Sequence, residues 1–299
     1  MLPVNEVIAG NCAEVMAGWP DDCIDLTVTS PPYDNLRDYE GYTFDFESIA
    51  TQLWRITKPG GVVVWVVGDA VKDGSETCTS FRQAIHFVEL GFSLHDTMLY
   101  FAEKPLSNDN RYQQCFEYMY VFSKGSPAVF NPIVDKANKW AGSKNFGKRS
   151  QRNKSGELIY GKQTEVPRFS RRLNLWKYKT GKGYTTKDDF AFEHPAMYPE
   201  ALARDHILSW SNPGDIVLDP MCGSGTTLKM AKQTGRRFIG IDISENYCAI
   251  ARKRVEGAQP PLFVDTVTPS NKTSTTTGLS PEGKQAELFT TASGQDASG

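Results

Sequence analysis

Two stretches hold residues whose order suits chemistry better than folding. In the first, the apolar run Ile24–Thr29 ends on Ser30-Pro31-Pro32-Tyr33. Proline removes a backbone donor and fixes φ near about −65°. A double proline is a poor exit from a buried strand unless something must be held there. In the second, "VLDPMCGSGTTL" (Val217–Leu228), Asp219 precedes Gly223 and Gly225. Glycine adopts positive φ and lets backbone approach a ligand closely. No lysine follows the last glycine, so the stretch is not a phosphate-binding loop of the G-x-x-x-x-G-K-[ST] kind. Nor is it the G-x-G-x-x-G dinucleotide fingerprint, because Leu228 stands in the third glycine's place. An acid before the glycines repels phosphate but attracts a cationic amino-acid group. About twenty residues on, the next apolar run ends "FIGID", which places Asp242 to accept hydrogen bonds from ribose hydroxyls. A nucleoside joined to a cationic amino acid describes S-adenosylmethionine. The plainer alternative is a βαβ turn with capping acids.

Both stretches need strands to carry them. "IDLTVT" reads as a buried strand, and "GVVVWVVGD" as a central parallel one. "FESIATQLWRITKPGG" predicts a helix ending near Lys58, stopped by Pro59. "CTSFRQAIHFVELGF" predicts another, stopped at Gly91. Two strand-like runs follow, "LHDTMLYFAEKP" and "CFEYMYVFSKG". After an irregular span, regularity returns with a helix over Tyr198–Trp210. The strand "DIVLDP", the glycine turn, the helix "TLKMAKQTG", the strand "RRFIGIDIS" and the helix "ENYCAIARKRVEG" then complete the pattern. Alternating strands and helices imply a mostly parallel sheet covered on both faces. The tail, residues 258–299, is rich in Ser, Thr, Pro and Gly and is expected to be mostly disordered.

The 299 residues are 39% hydrophobic and 23% charged, an ordinary globular composition. No apolar run is long enough for a membrane span, and the start of the chain lacks a signal-peptide pattern. Six scattered cysteines without a C-x-x-C pair read as free thiols in a reducing cytoplasm. The four histidines show no metal spacing, so no metal is expected. The charge is unevenly spread. Between Lys136 and Lys187 stand fifteen Lys and Arg against Glu157 and Glu165, a net of +13, which leaves −15 for the remainder of a chain whose total is −2. A basic segment of that density, interleaved with aromatics, is a footprint for phosphates. A solvated loop is the alternative.

With these residues in view, the chain resembles the amino-methylating DNA methyltransferases. Their cofactor loop D-P-F-x-G-S-G-T-T is similar to "DPMCGSGTT" here, with Met221 in the aromatic position, and their catalytic tetrapeptide (D/N/S)-P-P-(Y/F) to Ser30–Tyr33. The tetrapeptide comes before the basic insert and the cofactor loop, the order of the family's β group. The resemblance spans residues 5–257 in blocks. It implies a Rossmann-like α/β class I methyltransferase fold with a mostly parallel seven-stranded sheet and an inserted basic target-recognition region. It divides the chain into 1–131 (catalytic half), 132–190 (insert), 191–257 (cofactor half) and the tail.

The resemblance also implies roles. Ser30 Oγ and the Pro31 carbonyl would accept hydrogen bonds from the amino group of an extruded base, Pro32 would stiffen the corner, and Tyr33 would stack on the base. S-adenosylmethionine would lie against Asn11, Cys12, Asp219, Pro220, Met221, Cys222, Gly223, Ser224, Gly225, Thr226, Asp242 and Ile243. Asn11 departs from the family's usual acid at that place, though an amide carbonyl still accepts a hydrogen bond. His194 fits the family's His-Pro block. Lys148, Arg149, Arg152, Arg168, Arg171 and Arg172 would contact DNA. Ser in the first position suits N4 of cytosine. Adenine N6 is the alternative, because "LRDY" (Leu36–Tyr39) also occurs in adenine-specific relatives. An RNA or protein amide methyltransferase is disfavoured by the order of the motifs, and a catalytically silent DNA-binding protein by both motifs being intact. Expected partners are double-stranded DNA and a cognate restriction endonuclease, the chain being a monomer or homodimer and cytoplasmic, whether bacterial, archaeal or phage-encoded.

Overall fold

The computed structural model describes residues 2–32, 44–101, 111–144, 150–160, 164–194 and 196–259. Tyr33, Leu36–Tyr39, Lys148, Arg149 and nearly all of the tail lie outside the described residues. Eight strands form the central sheet: β1 (Glu6–Ala9), β2 (Ile24–Thr29), β3 (Thr57–Val67), β4 (Ser93–Phe101), β5 (Phe116–Ser123), β6 (Leu175–Lys177), β7 (Ile216–Asp219) and β8 (Arg237–Asp242). The helices are α1 (Cys12–Ala17), α2 (Phe46–Ile56), α3 (Thr79–Glu89), α4 (Glu200–Trp210), α5 (Thr226–Gln233) and α6 (Glu245–Gly257). None of the described helices is long and apolar enough to cross a membrane.

The strand order is β1-β8-β7-β2-β3-β5-β4-β6. All neighbours run parallel except β5, which is antiparallel to both β3 and β4. From β2 the chain builds outward through β3. From β7 it builds the other way, to β8. The order therefore reverses between β2 and β7, the place where open α/β sheets form their binding crevice. Val62–Val67 are buried throughout, because helices cover both faces. α4, α5 and α6 pack Ile207, Leu228 and Ala251 on one face, with Val28, Val64 and Val217. α1, α2 and α3 pack Met16, Leu53 and Phe87 on the other, with Trp65, Leu218 and Ile241.

Several boundaries differ from those the sequence suggests, each for a local reason. α2 ends at Ile56, earlier than Pro59, because Thr57 already pairs with Ile24 and begins β3. Pro59 thus sits near the start of a strand, where a missing donor is tolerated. α4 begins at Glu200 instead of Tyr198, since Tyr198 precedes Pro199 and a residue before proline is disfavoured in the helical region. β1 and α1 have only four and six residues, too few for a periodic signal. The sheet holds eight strands, one more than seven, because the basic insert contributes β6, pairing Leu175–Lys177 with Leu99–Phe101. The insert's other described pieces are short. Lys136–Ala137 pairs with Phe169–Ser170, Ser150–Arg152 with Leu158–Tyr160, and Lys144 bridges Glu165.

Candidate active site

The proline corner and the glycine loop leave the C-terminal ends of adjacent parallel strands. Leu26 and Thr27 of β2 stand beside Val217 and Leu218 of β7. Two residues further up, Thr29 Oγ1 donates to Asp219 Oδ1 at 2.8 Å. Thr227 Oγ1, at the start of α5, donates to the Val28 carbonyl at 3.0 Å and hydrogen-bonds the Tyr198 hydroxyl. The corner is thereby tied to the loop from both sides. Pro31 is buried, while Ser30 and Pro32 are half-buried.

Burial pushes the Asp219 carboxyl up to about 6, against the lowering effect of the Thr29 and Thr227 hydroxyls and the Met221 N–H. Asp242, at the tip of β8, accepts from Gly223 N at 2.8 Å and from Ser244 N at 3.0 Å. The two acids stand on neighbouring strand tips, and Cys12 lies close enough to feel both. Its thiol is pushed up to about 12, chiefly by burial, with Asp242 and Asp219 adding to the rise. Burial first, then the same two acids, raises the Cys222 thiol well above its ordinary range. Neither thiol is a nucleophile in this setting. Pro220 is buried, the Met221 side chain packs towards the α1–α3 face, and Ile243 is exposed beyond the strand tip. Asn11 caps α1, its Oδ1 accepting from Ala13 N at 2.9 Å. A carbonyl oxygen keeps a second lone pair for a ligand.

The loop glycines do adopt positive φ, +49° at Gly223 and +79° at Gly225. Their close approaches are to the protein itself. A Cβ at Gly223 would stand 2.6 Å from His194 Nε2, and one at Gly225 would stand 2.8 Å from the Ala251 Cβ. His194, which stacks edge-on against Tyr247, therefore forms part of the loop's bedding.

Sequence reasoning missed two features. The Ser244 hydroxyl is buried beside Asp242 and has no hydrogen-bond partner among the described residues. Its only signal is its position two residues after the strand-tip acid. The second is a buried ion network beneath the loop. Arg254, on α6, donates through Nη1 to the Ser224 carbonyl at 2.9 Å, to Ser224 Oγ at 3.0 Å and to Thr226 Oγ1 at 3.1 Å. Its remaining nitrogens reach Asp188 Oδ2 at 3.0 Å, Thr186 Oγ1 at 3.3 Å and Glu200 Oε1 at 2.7 Å. Lys229 pairs with both acids as well, at 2.7 and 2.8 Å. Burial raises the Asp188 carboxyl, but Lys229 and Arg254 outweigh it and hold the group below its ordinary range. In sequence these residues lie far apart, so no motif announces them.

The described cations of the insert are scattered. Arg172 is engaged in the fold. It donates to Asp205 Oδ2 at 2.6 Å and pairs with Asp135, and the Tyr178 hydroxyl donates to the same Asp205 oxygen at 2.8 Å. Arg171 lies over the ring of Phe130, which stacks on Trp210 at the far end of α4. That is the N-terminal end of β7, opposite the proline corner. Arg168 lies over Phe169, and Arg152 donates to the Gly156 carbonyl; both are exposed. Among the described residues no group of three His, Cys, Asp or Glu is placed to hold a metal ion.

Comparisons with known proteins follow the same outline. The model of a DNA methylase family, the N6/N4 methyltransferases, matches residues 24–253. The orphan methyltransferase M.BamHII of Bacillus amyloliquefaciens is 54% identical over 238 residues, covering 79% of this chain and 90% of that protein. Two solved structures share the fold. PvuII DNA methyltransferase (cytosine-N4-specific) has a TM-score of 0.59 at 19% identity, over 88% of this chain and 87% of that one. The Thermus thermophilus protein TTHA0409, complexed with S-adenosyl-L-methionine, has a TM-score of 0.58 at 24% identity, over 86% of this chain and 95% of that one.

Proposed function

We infer the reaction from one premise: this chain belongs to the N6/N4 DNA methylase family. The reaction is transfer of a methyl group from S-adenosylmethionine to the exocyclic N4 of a cytosine extruded from duplex DNA. The observation that carries this reading is the bond from Thr29 to Asp219, which holds the proline corner against the cofactor loop. The residues present suit that cofactor. Asp219 offers a buried carboxylate to a cationic amino-acid group, and Asp242 with the unpartnered Ser244 hydroxyl offers acceptors and a donor to a nucleoside. Two acids on neighbouring tips would repel a phosphate-bearing nucleotide. PvuII methyltransferase and TTHA0409, by name a cytosine-N4 enzyme and a cofactor-bound protein, share the fold and are in keeping with this reading.

When bound, the cofactor supplies an electrophilic sulfonium methyl. The protein's work is to orient the nitrogen. Delocalisation into the ring makes an exocyclic amino group a poor nucleophile. Ser30 Oγ and the Pro31 carbonyl accept hydrogen bonds from its N–H groups, draw the nitrogen towards tetrahedral geometry and aim the lone pair. The prolines fix that carbonyl without relying on packing. Tyr33 stacks on the base. Positioning of this kind supplies about 7–11 kcal/mol of barrier lowering when reacting atoms are well aligned. Extruding the base costs only a few kcal/mol. A hydroxyl at Ser30 is a weaker acceptor than a carboxylate, which suits the more reactive amino group of cytosine.

Mass spectrometry of nucleosides from DNA exposed to the protein and S-adenosylmethionine tests the reading. 4-Methylcytosine is the expected product. 6-Methyladenine would overturn the choice of base, and no methylated base at all would overturn the reaction.

A further inference from the structure

We propose that Lys179, Lys182 and Lys187 grip the phosphate backbone of duplex DNA next to the extruded base, an inference that rests on the methyltransferase reading above. Sheet register locates the segment that bears them. Leu175 pairs with Leu99, Leu99 with Tyr118, and Tyr118 with Val67, while Thr29 pairs with Trp65. Lys177 therefore stands a little beyond the level of the proline corner, at the same end of the sheet. From there the chain runs to the glycine loop. Over Lys177–Lys187 there are four lysines and no acid, in a protein whose remainder outside the insert is strongly negative.

The side chains are presented outward. Lys182 sits between Gly181 and Gly183, both at positive φ, with open space around each. Its side chain is 76% exposed, and its pair with Asp189 at 3.4 Å joins two exposed groups. Such a pair is weak in water and exchanges easily for a phosphate. Lys179 lies over the ring of Tyr184, itself 62% exposed, and Lys187 is exposed. An aromatic between cations suits a nucleic-acid groove.

The backbone beneath is anchored. Thr185 and Thr186 are buried. Glu200 N donates to the Thr185 carbonyl at 3.0 Å, and Gly181 N to Thr185 Oγ1 at 3.1 Å. Arg254 joins Thr186 to the Ser224 carbonyl of the glycine loop. A phosphate held by these lysines is thus set at a fixed remove from the cofactor loop, and little ordering cost remains to be met on binding. Neither Arg172, engaged by two carboxylates, nor Arg171, at the sheet's other end, has this placement.

The test measures binding of a fluorescent duplex oligonucleotide over a range of salt. The variant Lys179→Ala/Lys182→Ala/Lys187→Ala is expected to lower the slope of log K against log salt by about 2.7, at about 0.9 per phosphate contact. Methyl transfer should show a raised KM for DNA. Cofactor affinity, measured by calorimetry without DNA, should not change. An unaltered slope overturns the inference. Failure of the wild type to bind any duplex overturns instead the methyltransferase reading beneath it. Should the triple variant fold poorly, Lys182→Glu alone, in an exposed turn, carries the test, with an expected slope change of at least about 1.

Discussion

Asp219 is a buried acid, and on the reading proposed above, in which it faces the cofactor's cationic group, its pH behaviour follows. Burial pushes its carboxyl up to about 6, so in the absence of ligand it is charged above that pH and neutral below. Cofactor affinity should be flat above about pH 6 and should fall by up to tenfold per pH unit below it. Asp219→Asn should weaken binding and abolish this dependence; calorimetry across pH 5 to 8 reads both. The acid's place, at the end of an apolar run and before a glycine loop, is legible in sequence. Its partners are not. Thr29, separated from Asp219 by 190 positions, reads in sequence as one more β-branched residue of a strand. Asn11 and Arg172 carry local contacts that sequence does not announce either. Each has the right chemistry for a ligand, and each is engaged locally, as a helix cap and as a partner of Asp205.

The elements that hold the loop depend on α6 through Arg254, whose side chain is fully buried. Removing one partner of a buried ion network typically costs about 3–5 kcal/mol. Arg254→Met should therefore lower the melting temperature and weaken cofactor binding together. Arg254→Lys should restore most of the stability by pairing with Glu200. It lacks the planar fork that also reaches the Ser224 carbonyl, so cofactor affinity should stay reduced. Thermal unfolding set beside calorimetry separates the two effects; equal recovery of both would deny the loop-positioning role. The strands and helices of this region are readable from their apolar runs and from Asn212-Pro213-Gly214. Positive φ at Gly223 and Gly225 follows from their type and place, but their close neighbours are His194 and Ala251, which no spacing rule brings near them.

At the scale of the whole molecule, the basic insert is woven into the sheet. It supplies β6 and ends in Thr186 and Asp188, which belong to the network under the loop. Composition marks it as a separate region because charge is visible in sequence, whereas a three-residue strand is not. An outer part is expected to be dispensable for folding. Asn138 N donates to the Arg168 carbonyl at 3.0 Å, so these positions are already adjacent. Replacing residues 139–167 by two glycines should leave the fold and cofactor affinity intact while weakening DNA binding. Excising 132–190 should abolish soluble expression. Circular dichroism and calorimetry on the two deletions distinguish them, and a well-folded larger deletion would contradict the woven arrangement.

The bond between Thr29 and Asp219 also joins segments made far apart in time. Its two partners lie 190 positions apart, so the second leaves the ribosome long after the first. The flank of β2 that pairs with β7 has no partner strand until β7 has been made. Closing so long a span is slow compared with local folding. A nascent fragment that stops short of β7 and its loop therefore has only one half of the methyl-transfer centre.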